Sequence, residues 1–202
     1  MLADTPRRYG RITRVLHWTM AALFAWQFTG MVLKHVLGRV PLMAFWVGTH
    51  PSVGSLLFLL ILVRIGWALS QRRQRPSYGT GLVGQAAKAG HVAMYVLMLV
   101  VPTLGLLRML GDVRPISLFG IALWQGGAEE TLWMTAPANL VHGVLAWSLL
   151  ALIVGHVAMA LVHRFVWRDE TFGRMIGRPA EMNGASLGGG SLPNRADRIG
   201  AG

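Results

Sequence analysis

Seven histidines, in a chain of 202 residues without cysteine, are the side chains whose type and spacing could do chemistry. An ionisable side chain within an apolar run is costly, so it normally faces a partner inside a helical bundle. The absence of cysteine excludes thiolate metal sites, iron–sulfur clusters and covalent haem attachment. A redox metal would therefore depend mainly on imidazole nitrogen, since methionine in apolar helices usually serves packing. Five histidines lie in or beside long apolar runs: His17, His50, His91, His142 and His156.

The most informative spacing is that between His142 and His156, fourteen residues apart in one uninterrupted apolar run. At about 100° and 1.5 Å per residue, the two side chains lie within roughly 40° of each other around the helix axis and about 21 Å apart along it. A single metal ion cannot bind both, because metal–imidazole bonds are about 2 Å long. Two stacked cofactors can. Each histidine taken alone is equally compatible with a hydrogen-bonded structural role.

Four apolar runs predict the elements that position these residues. Each is close to the ~20 residues that a helix needs to cross a bilayer. The expected fold class is all-α, an integral membrane four-helix bundle with both termini on the cytoplasmic side. The predicted domain covers 1–176, and a Gly-rich tail at 177–202 is expected to be disordered. The helices are expected at about 12–35, 42–69, 88–109 and 138–165.

Composition and charge support this placement. The chain is 53% hydrophobic and 13% charged, which leaves too little polar surface for a soluble globule of this size. Its net charge of +11 comes from basic residues between the apolar runs, as the positive-inside rule describes, and not from one face of a nucleic-acid-binding domain. We therefore expect a multi-pass protein of the bacterial cytoplasmic (inner) membrane that contacts lipid and binds no nucleic acid.

Helix direction gives each histidine of the last helix a partner at a similar depth. His17 begins the first helix near the cytoplasm, at the level of His156, whereas His50 begins the second helix near the outer side, at the level of His142. His91 also lies on the cytoplasmic side and competes with His17. Depth alone favours the first arrangement only weakly.

Other residues could support such cofactors, although each has a simpler explanation. Gly54, Gly66, Gly143 and Gly155 would let a flat macrocycle approach the backbone, and small residues also serve ordinary helix packing. Arg64 and Arg108 are candidates to pair with haem propionates, or they extend to the lipid headgroups. His163 lies seven residues, about two helical turns, beyond His156. It is a candidate to bind quinone or to support the ligands, or it is simply solvated. His35 is interpreted as a surface residue.

The chain resembles the bacterial cytochrome b561 family, which is related to the cytochrome b subunits of nickel–iron hydrogenases. The resemblance covers about Tyr9 to Ile176 and includes RYGRITRVLHW, GHVAMYVLMLVVPTLGL, and the last helix with its two histidines followed by FVWRDETFGRM. It implies two non-covalent b haems, with His17 and His156 as axial ligands of the cytoplasmic one and His50 and His142 as ligands of the outer one. His91 and His163 match family histidines without an axial role, leaving quinone binding or support of the ligands.

The resemblance also implies electron transfer between an outer donor, superoxide among the candidates, and membrane quinone in a respiratory chain. The outer cations expected to attract such an anion are Lys34, Arg39, Arg108 and Arg114. One alternative is a membrane-anchor cytochrome that serves a separate hydrogenase or dehydrogenase subunit as redox partner. A second, of another class, is a haem-free transporter or proton-conducting bundle.

Overall fold

The computed structural model describes residues 1–38 and 40–177. Arg39 and the greater part of the predicted tail, from residue 178 onward, lie outside the described residues. Four helices are long and apolar enough to cross a membrane, which confirms the predicted fold class. They are α1 (Arg11–Leu37), α2 (Pro41–Ser70), α3 (Gly81–Gly111) and α4 (Leu132–Val166).

The helix boundaries follow local sequence signals. Gly38 has a φ of +73°, which ends α1, and Pro41 opens α2 at a position where a missing N–H costs nothing. Both α3 and α4 begin earlier than the apolar periodicity indicates, at Gly81 and Leu132. The helical ladder therefore continues into less apolar sequence at these two ends.

Both chain ends described by the structure lie on the same side of the bundle, here called the terminal side. The Arg14 guanidinium donates from Nη1 to the carbonyl of Ile176 at 3.1 Å, which joins the start of α1 to a short helix after α4, α5 (Thr171–Ile176). The opposite end, where α1 leads into α2 and α3 leads toward α4, is called the far side. The assignment of the terminal side to the cytoplasm stays a prediction.

Helix packing leaves one side of the bundle more open than the others. Close backbone contacts run from α1 to α2, from α2 to α3 and from α3 to α4. Within the described residues, α4 makes no comparably close backbone contact with α1 or α2. The main buried cluster accordingly lies between the first three helices: Met20, Val53, Leu57 and Ile61. The helix that carries two histidines therefore faces the helices that carry their partners across a gap.

Two features of the fold were not predicted. α4 contains π-helical turns at Ala138–His142 and Val162–Val166. Between α3 and α4, strands β1 (Ile116–Leu118) and β2 (Ile121–Trp124) form an antiparallel hairpin. Its turn holds Phe119 at φ +52° and Gly120 at φ +81°, and the amide of Phe119 donates to Ser52 Oγ on α2 at 2.9 Å. This bond ties the far-side loop to the helix that bears His50.

A buried carboxylate organises the terminal side. Asp4 is 1% exposed and accepts hydrogen bonds from the Gly10 amide at 2.8 Å and from the Thr13 hydroxyl at 2.7 Å. Its second oxygen pairs with Arg75 at 3.1 Å, and Trp67 donates to Thr13 at 2.8 Å. The N-terminal segment, α1, and the end of α2 with its following loop are thus joined through one side chain.

Candidate functional site

The structure brings four of the predicted histidines together as two pairs at different depths. The ring centres of His17 and His156 are 6.3 Å apart, with an interplanar angle of 56°. Those of His50 and His142 are 6.2 Å apart, with an interplanar angle of 69°. The first, terminal-side pair joins α1 to α4, and the second, far-side pair joins α2 to α4. Both pairs therefore lie across the gap between helices.

This separation fits two imidazoles on opposite sides of one metal. Two metal–nitrogen bonds of about 2 Å, plus about 1.2 Å from each ring centre to its nitrogen, put trans imidazole centres roughly 6.3 Å apart. The described residues contain no cluster of three or more histidine, cysteine, aspartate or glutamate side chains that could hold a bare metal ion. The paired rings suit a metal whose other ligands come from a macrocycle.

Hydrogen bonding separates three of the four paired histidines from structural ones. Among the described residues, the buried Nδ1 atoms of His17, His50 and His142 have no hydrogen-bond partner. Buried polar atoms are normally paired, so a structural histidine would be expected to show such a partner. These rings are held in the bundle by packing. Their unpartnered nitrogens fit the binding of a cofactor better than they fit a hydrogen-bonded structural role.

His91 belongs to the same layer as the terminal-side pair but differs from it in two ways. Its ring centre is 5.1 Å from that of His156, too short for trans imidazoles on one metal. Its Nδ1 is 2.7 Å from the carbonyl of Ala87, one turn earlier in α3, and donates a hydrogen bond to it. The geometry favours His17 over His91 as the partner of His156.

The Tyr78 ring lies next to His91, with their centres 5.2 Å apart. Burial raises the pKa of this tyrosine, so its hydroxyl stays protonated at neutral pH. His91 thus has a neutral hydrogen-bonding side chain beside it on the terminal side.

His163, like His91, has a ring nitrogen that is hydrogen-bonded to the protein. It lies in the π-helical turn at the end of α4. Its Nδ1 lies 2.6 Å from Asp169 Oδ2, and its ring packs edge-on against Trp167. Partial burial raises the pKa of Asp169, but hydrogen bonds from His163 and Thr171 outweigh it and the net pKa is lowered. The carboxylate is thus ionised and fixes the ring. His35, by contrast, is an exposed residue at the end of α1 that packs edge-on against Trp147.

The arginines predicted to assist lie in different layers. Arg64 is within electrostatic reach of both His17 and His156, and its Nε donates to the Tyr95 hydroxyl at 3.0 Å. Arg108 is within electrostatic reach of His142 on the far side. Each histidine pair therefore has one arginine near it.

The far-side cations expected to attract an anion are not equivalent. Lys34 is within electrostatic reach of His50 and joins Arg108 near the far-side pair. Arg114 instead pairs with Asp112 at 2.6 Å. Among the expected cations that the structure describes, Lys34 and Arg108 are therefore the two that raise the electrostatic potential at the far-side pair.

Glycines border the paired rings. A Cβ at Gly105 on α3 would lie 3.4 Å from Cε1 of His142, so the ring packs directly on the α3 backbone. At Gly66, Gly143 and Gly155 an added Cβ would meet nothing within 4 Å. The space beside three of the four predicted glycines is open, whereas Gly54 has Gln27 Nε2 at 3.5 Å from an added Cβ.

Two site features escaped sequence reasoning. One is the π-helical turn that ends at His142, a type of distortion that often accompanies functional sites. The other is Gln27, which donates from Nε2 to the backbone carbonyl of His50 at 3.1 Å. A polar amide in the apolar run of α1 was the available signal, since such residues in a membrane helix need a partner.

Comparison with known proteins places the chain among bacterial membrane cytochromes. A family model described as prokaryotic cytochrome b561 matches residues 8–178. The chain is 32% identical over 195 residues to cytochrome b561 homolog 2 of Escherichia coli strain K12, covering 90% of this chain and 97% of that protein. It is 27% identical over 175 residues to cytochrome b562 of Cereibacter sphaeroides, covering 83% and 94%.

Proposed function

Because the chain belongs to the prokaryotic cytochrome b561 family, we propose that it holds two b haems and carries electrons between a donor on the far side and membrane quinone. Family membership makes the protein a bacterial membrane cytochrome b that transfers electrons, which sets aside the haem-free transporter. The proposal concerns the finer points: the number of haems, their ligands, the quinone, the donor, the respiratory role and the inner-membrane location.

The observation that carries the proposal is the near-equal spacing of two histidine pairs, 6.3 and 6.2 Å between ring centres. We assign His17 and His156 as the residues that would hold a terminal-side haem, and His50 and His142 as the residues that would hold a far-side haem. Bound at these histidines, haem would supply one-electron redox chemistry. The function supported is electron transfer rather than bond formation at iron.

The roles of the remaining side chains follow from charge. Arg64 and Arg108 stabilise negative charge beside the terminal-side and far-side pairs, respectively, including that of haem propionates and of added electrons. The gap that separates α4 from α1 and α2 supplies an apolar, low-dielectric setting in which these charges act strongly. The chain's own contribution is to fix the rings and the charges that set the energy of each electron site.

Quinone reduction requires two protons as well as two electrons, and the terminal side has the groups to provide them. His91 uses Nδ1 for its bond to Ala87, and among the described residues its Nε2 has no hydrogen-bond partner. His163 and Asp169 form a hydrogen-bonded pair at the same end of α4. We propose that quinone binds on the terminal side, which the positive-inside rule assigns to the cytoplasm, and that His91 and His163 relay its protons.

On the far side, an anionic donor such as superoxide would be attracted by Lys34 and Arg108. Changing both to glutamine should slow superoxide-driven quinone reduction and weaken its dependence on ionic strength, because fewer cations attract the donor. The double variant is compared with Arg114→Gln, whose cation is already neutralised by Asp112. Equal effects of the two changes would remove the steering role. Copurification with a large redox subunit would instead identify a partner protein as donor.

The test of the whole proposal is a haem count joined to the kinetics of quinone reduction. Protein made with ample haem is purified in mild detergent, haem per chain is measured as the pyridine haemochrome, and oxidation of the pre-reduced haems by a quinone analogue is followed by stopped flow. Two b haems, both oxidised by the quinone, are expected, with slower oxidation in His91→Gln at unchanged haem content. A colourless protein, or reduced haems that quinone cannot oxidise, would contradict the proposal.

A further inference from the structure

The backbone at His50 is the weakest point of the far-side ligand set. Pro51 follows it directly inside α2, and a proline disfavours the helical conformation of the residue before it. Proline also removes one backbone donor from the helix ladder. The chain thus places a residue that must hold its ring steadily at a position where the helix is intrinsically weak.

Two side chains donate to backbone carbonyls at this point, one of them from another helix. Gln27 reaches from α1 and donates from Nε2 to the carbonyl of His50 at 3.1 Å. Ser55, one turn further along α2, donates to the carbonyl of Pro51 at 2.8 Å. An amide buried in hydrocarbon is costly unless it is hydrogen-bonded, so Gln27 is stable here because it has this acceptor. Gly54 leaves the room for it, since an added Cβ would lie 3.5 Å from Nε2.

Neighbouring contacts between the same helices show that helix packing alone does not require this bond. Gly30 packs directly on Trp46, and Trp26 donates from Nε1 to Thr49 Oγ1 at 3.1 Å. These contacts join α1 to α2 through side chains. Gln27 instead reaches the backbone of the His50 residue itself.

We propose that Gln27 is a positioning residue that holds the His50 backbone in helical geometry beside Pro51 and so fixes the orientation of the His50 ring relative to His142. The proposal rests on the function proposed above, because the ring orientation matters through a haem held between the two histidines. The hydrogen bond from Gln27 joins α1 to α2 and offsets the local disturbance of the α2 backbone that Pro51 causes.

The test compares Gln27→Leu with Trp26→Phe. The first change removes the donor to the His50 carbonyl at nearly constant volume, and the second removes a hydrogen bond at the same helix interface, one residue away. Electron paramagnetic resonance of the oxidised protein reports the relative orientation of the two imidazole planes, and transfer to apomyoglobin reports the rate of haem loss. The terminal-side haem is the internal control in each sample.

Gln27→Leu is expected to alter the resonance of the far-side haem and to speed its loss by about two- to tenfold, the range expected for one hydrogen bond. Trp26→Phe should leave both unchanged. The Gln27→Leu effect should shrink in a Pro51→Ala background, because there the helix needs no support. Equal effects of Gln27→Leu and Trp26→Phe, or no effect of Gln27→Leu, would overturn the proposal. Gln27→Asn, which keeps the amide and shortens its reach, gives the same comparison if Gln27→Leu does not fold.

Hydrogen exchange separates this inference from the proposed function. Backbone exchange over residues 48–55 is measured in the same samples and needs no haem. Faster exchange there in Gln27→Leu than in Trp26→Phe is expected. Unchanged exchange would overturn the role of Gln27 alone, whereas a wild-type protein without haem would overturn the function proposed above.

Discussion

The two histidine pairs have almost the same ring separation but different surroundings. The terminal-side pair lies in a layer with His91, Tyr78, Arg64 and Tyr95, which can exchange or hold protons and hydrogen bonds. The far-side pair is supported by backbone contacts, from Gln27 to the His50 carbonyl and from His142 to the glycine backbone of α3. The difference in surroundings is consistent with the proposal that the terminal side serves proton-coupled quinone chemistry and the far side serves electron transfer alone.

Gly105 gives the largest expected difference between the two sites. Leucine at this position would occupy the space of the His142 ring, since even a Cβ lies 3.4 Å from Cε1. We expect Gly105→Leu to lose the far-side haem and keep the terminal-side haem, as measured by pyridine haemochrome and redox titration. Gly105→Ala is the matched control and should keep both, because 3.4 Å is within the ordinary contact range. Retention of both haems in Gly105→Leu would refute this packing role.

Asp4 should control the stability of the terminal side. Asp4→Ala leaves Arg75, Thr13 and the Gly10 amide without their shared acceptor, at an expected cost of about 2–4 kcal/mol. The measurement is thermal unfolding in detergent, with haem absorbance recorded at both sites. The matched control is Asp112→Ala, which removes an ion pair on the far side whose arginine is exposed and should cost below about 1 kcal/mol. Similar losses in the two variants would refute the central role given to Asp4.

Arg64 should set the electron affinity of one site more than that of the other. Removing a cation favours the oxidised haem, so Arg64→Gln is expected to lower the terminal-side midpoint potential by on the order of tens of millivolts, while the far-side potential shifts less. Redox titration of both haems measures the two shifts in one sample. Arg108→Gln should give the reverse pattern. Equal shifts at the two sites would contradict the assignment of these arginines to separate layers.

The smallest effect is expected from pH at the far-side loop. The Arg114 side chain, hydrogen-bonded to the carboxylate, lowers the pKa of Asp112 to about 2. The unfolded carboxylate has a pKa of about 3.9, so its stabilising contribution is complete above that value and is lost as pH falls through about 2. The difference in unfolding temperature between wild type and Asp112→Asn should therefore be small and constant from pH 8 to pH 5 and should shrink as the pH falls from about 4 to about 2. A difference that does not change between about pH 4 and pH 2 would show that the pKa is not lowered.

Much of this architecture was predictable because it depends on periodicity within single helices. The fourteen-residue spacing of His142 and His156 required one uninterrupted helical run, and the segment Gly143–Leu161 between the two π-helical turns is regular α-helix. Apolar length predicted four helices able to cross a membrane, and the structure has four helices long and apolar enough to do so. The pairing of His17 and His50 with α4 stays a proposal for haem ligation, supported by the observed ring distances.

The remaining features depend on contacts between distant parts of the chain. Helix depth could not separate His17 from His91, because the difference lies in the bond from His91 to Ala87 and in ring distances set by packing. The tie between Ser52 and the hairpin amide of Phe119 joins residues that no local pattern connects. Gln27 was visible as a polar residue in an apolar run, but its acceptor on α2 became evident only from the helix packing.

A haem count on paired histidine variants tests the assignment of the two histidine pairs. His17→Ala with His156→Ala removes both ligands of one proposed haem, whereas His17→Ala with His142→Ala removes one ligand from each. The first double variant is expected to lose no more haem than either of its single variants and to keep the far-side haem. The second should lose both haems. Loss of both haems in the first, or retention of one in the second, would contradict the assignment of the histidine pairs.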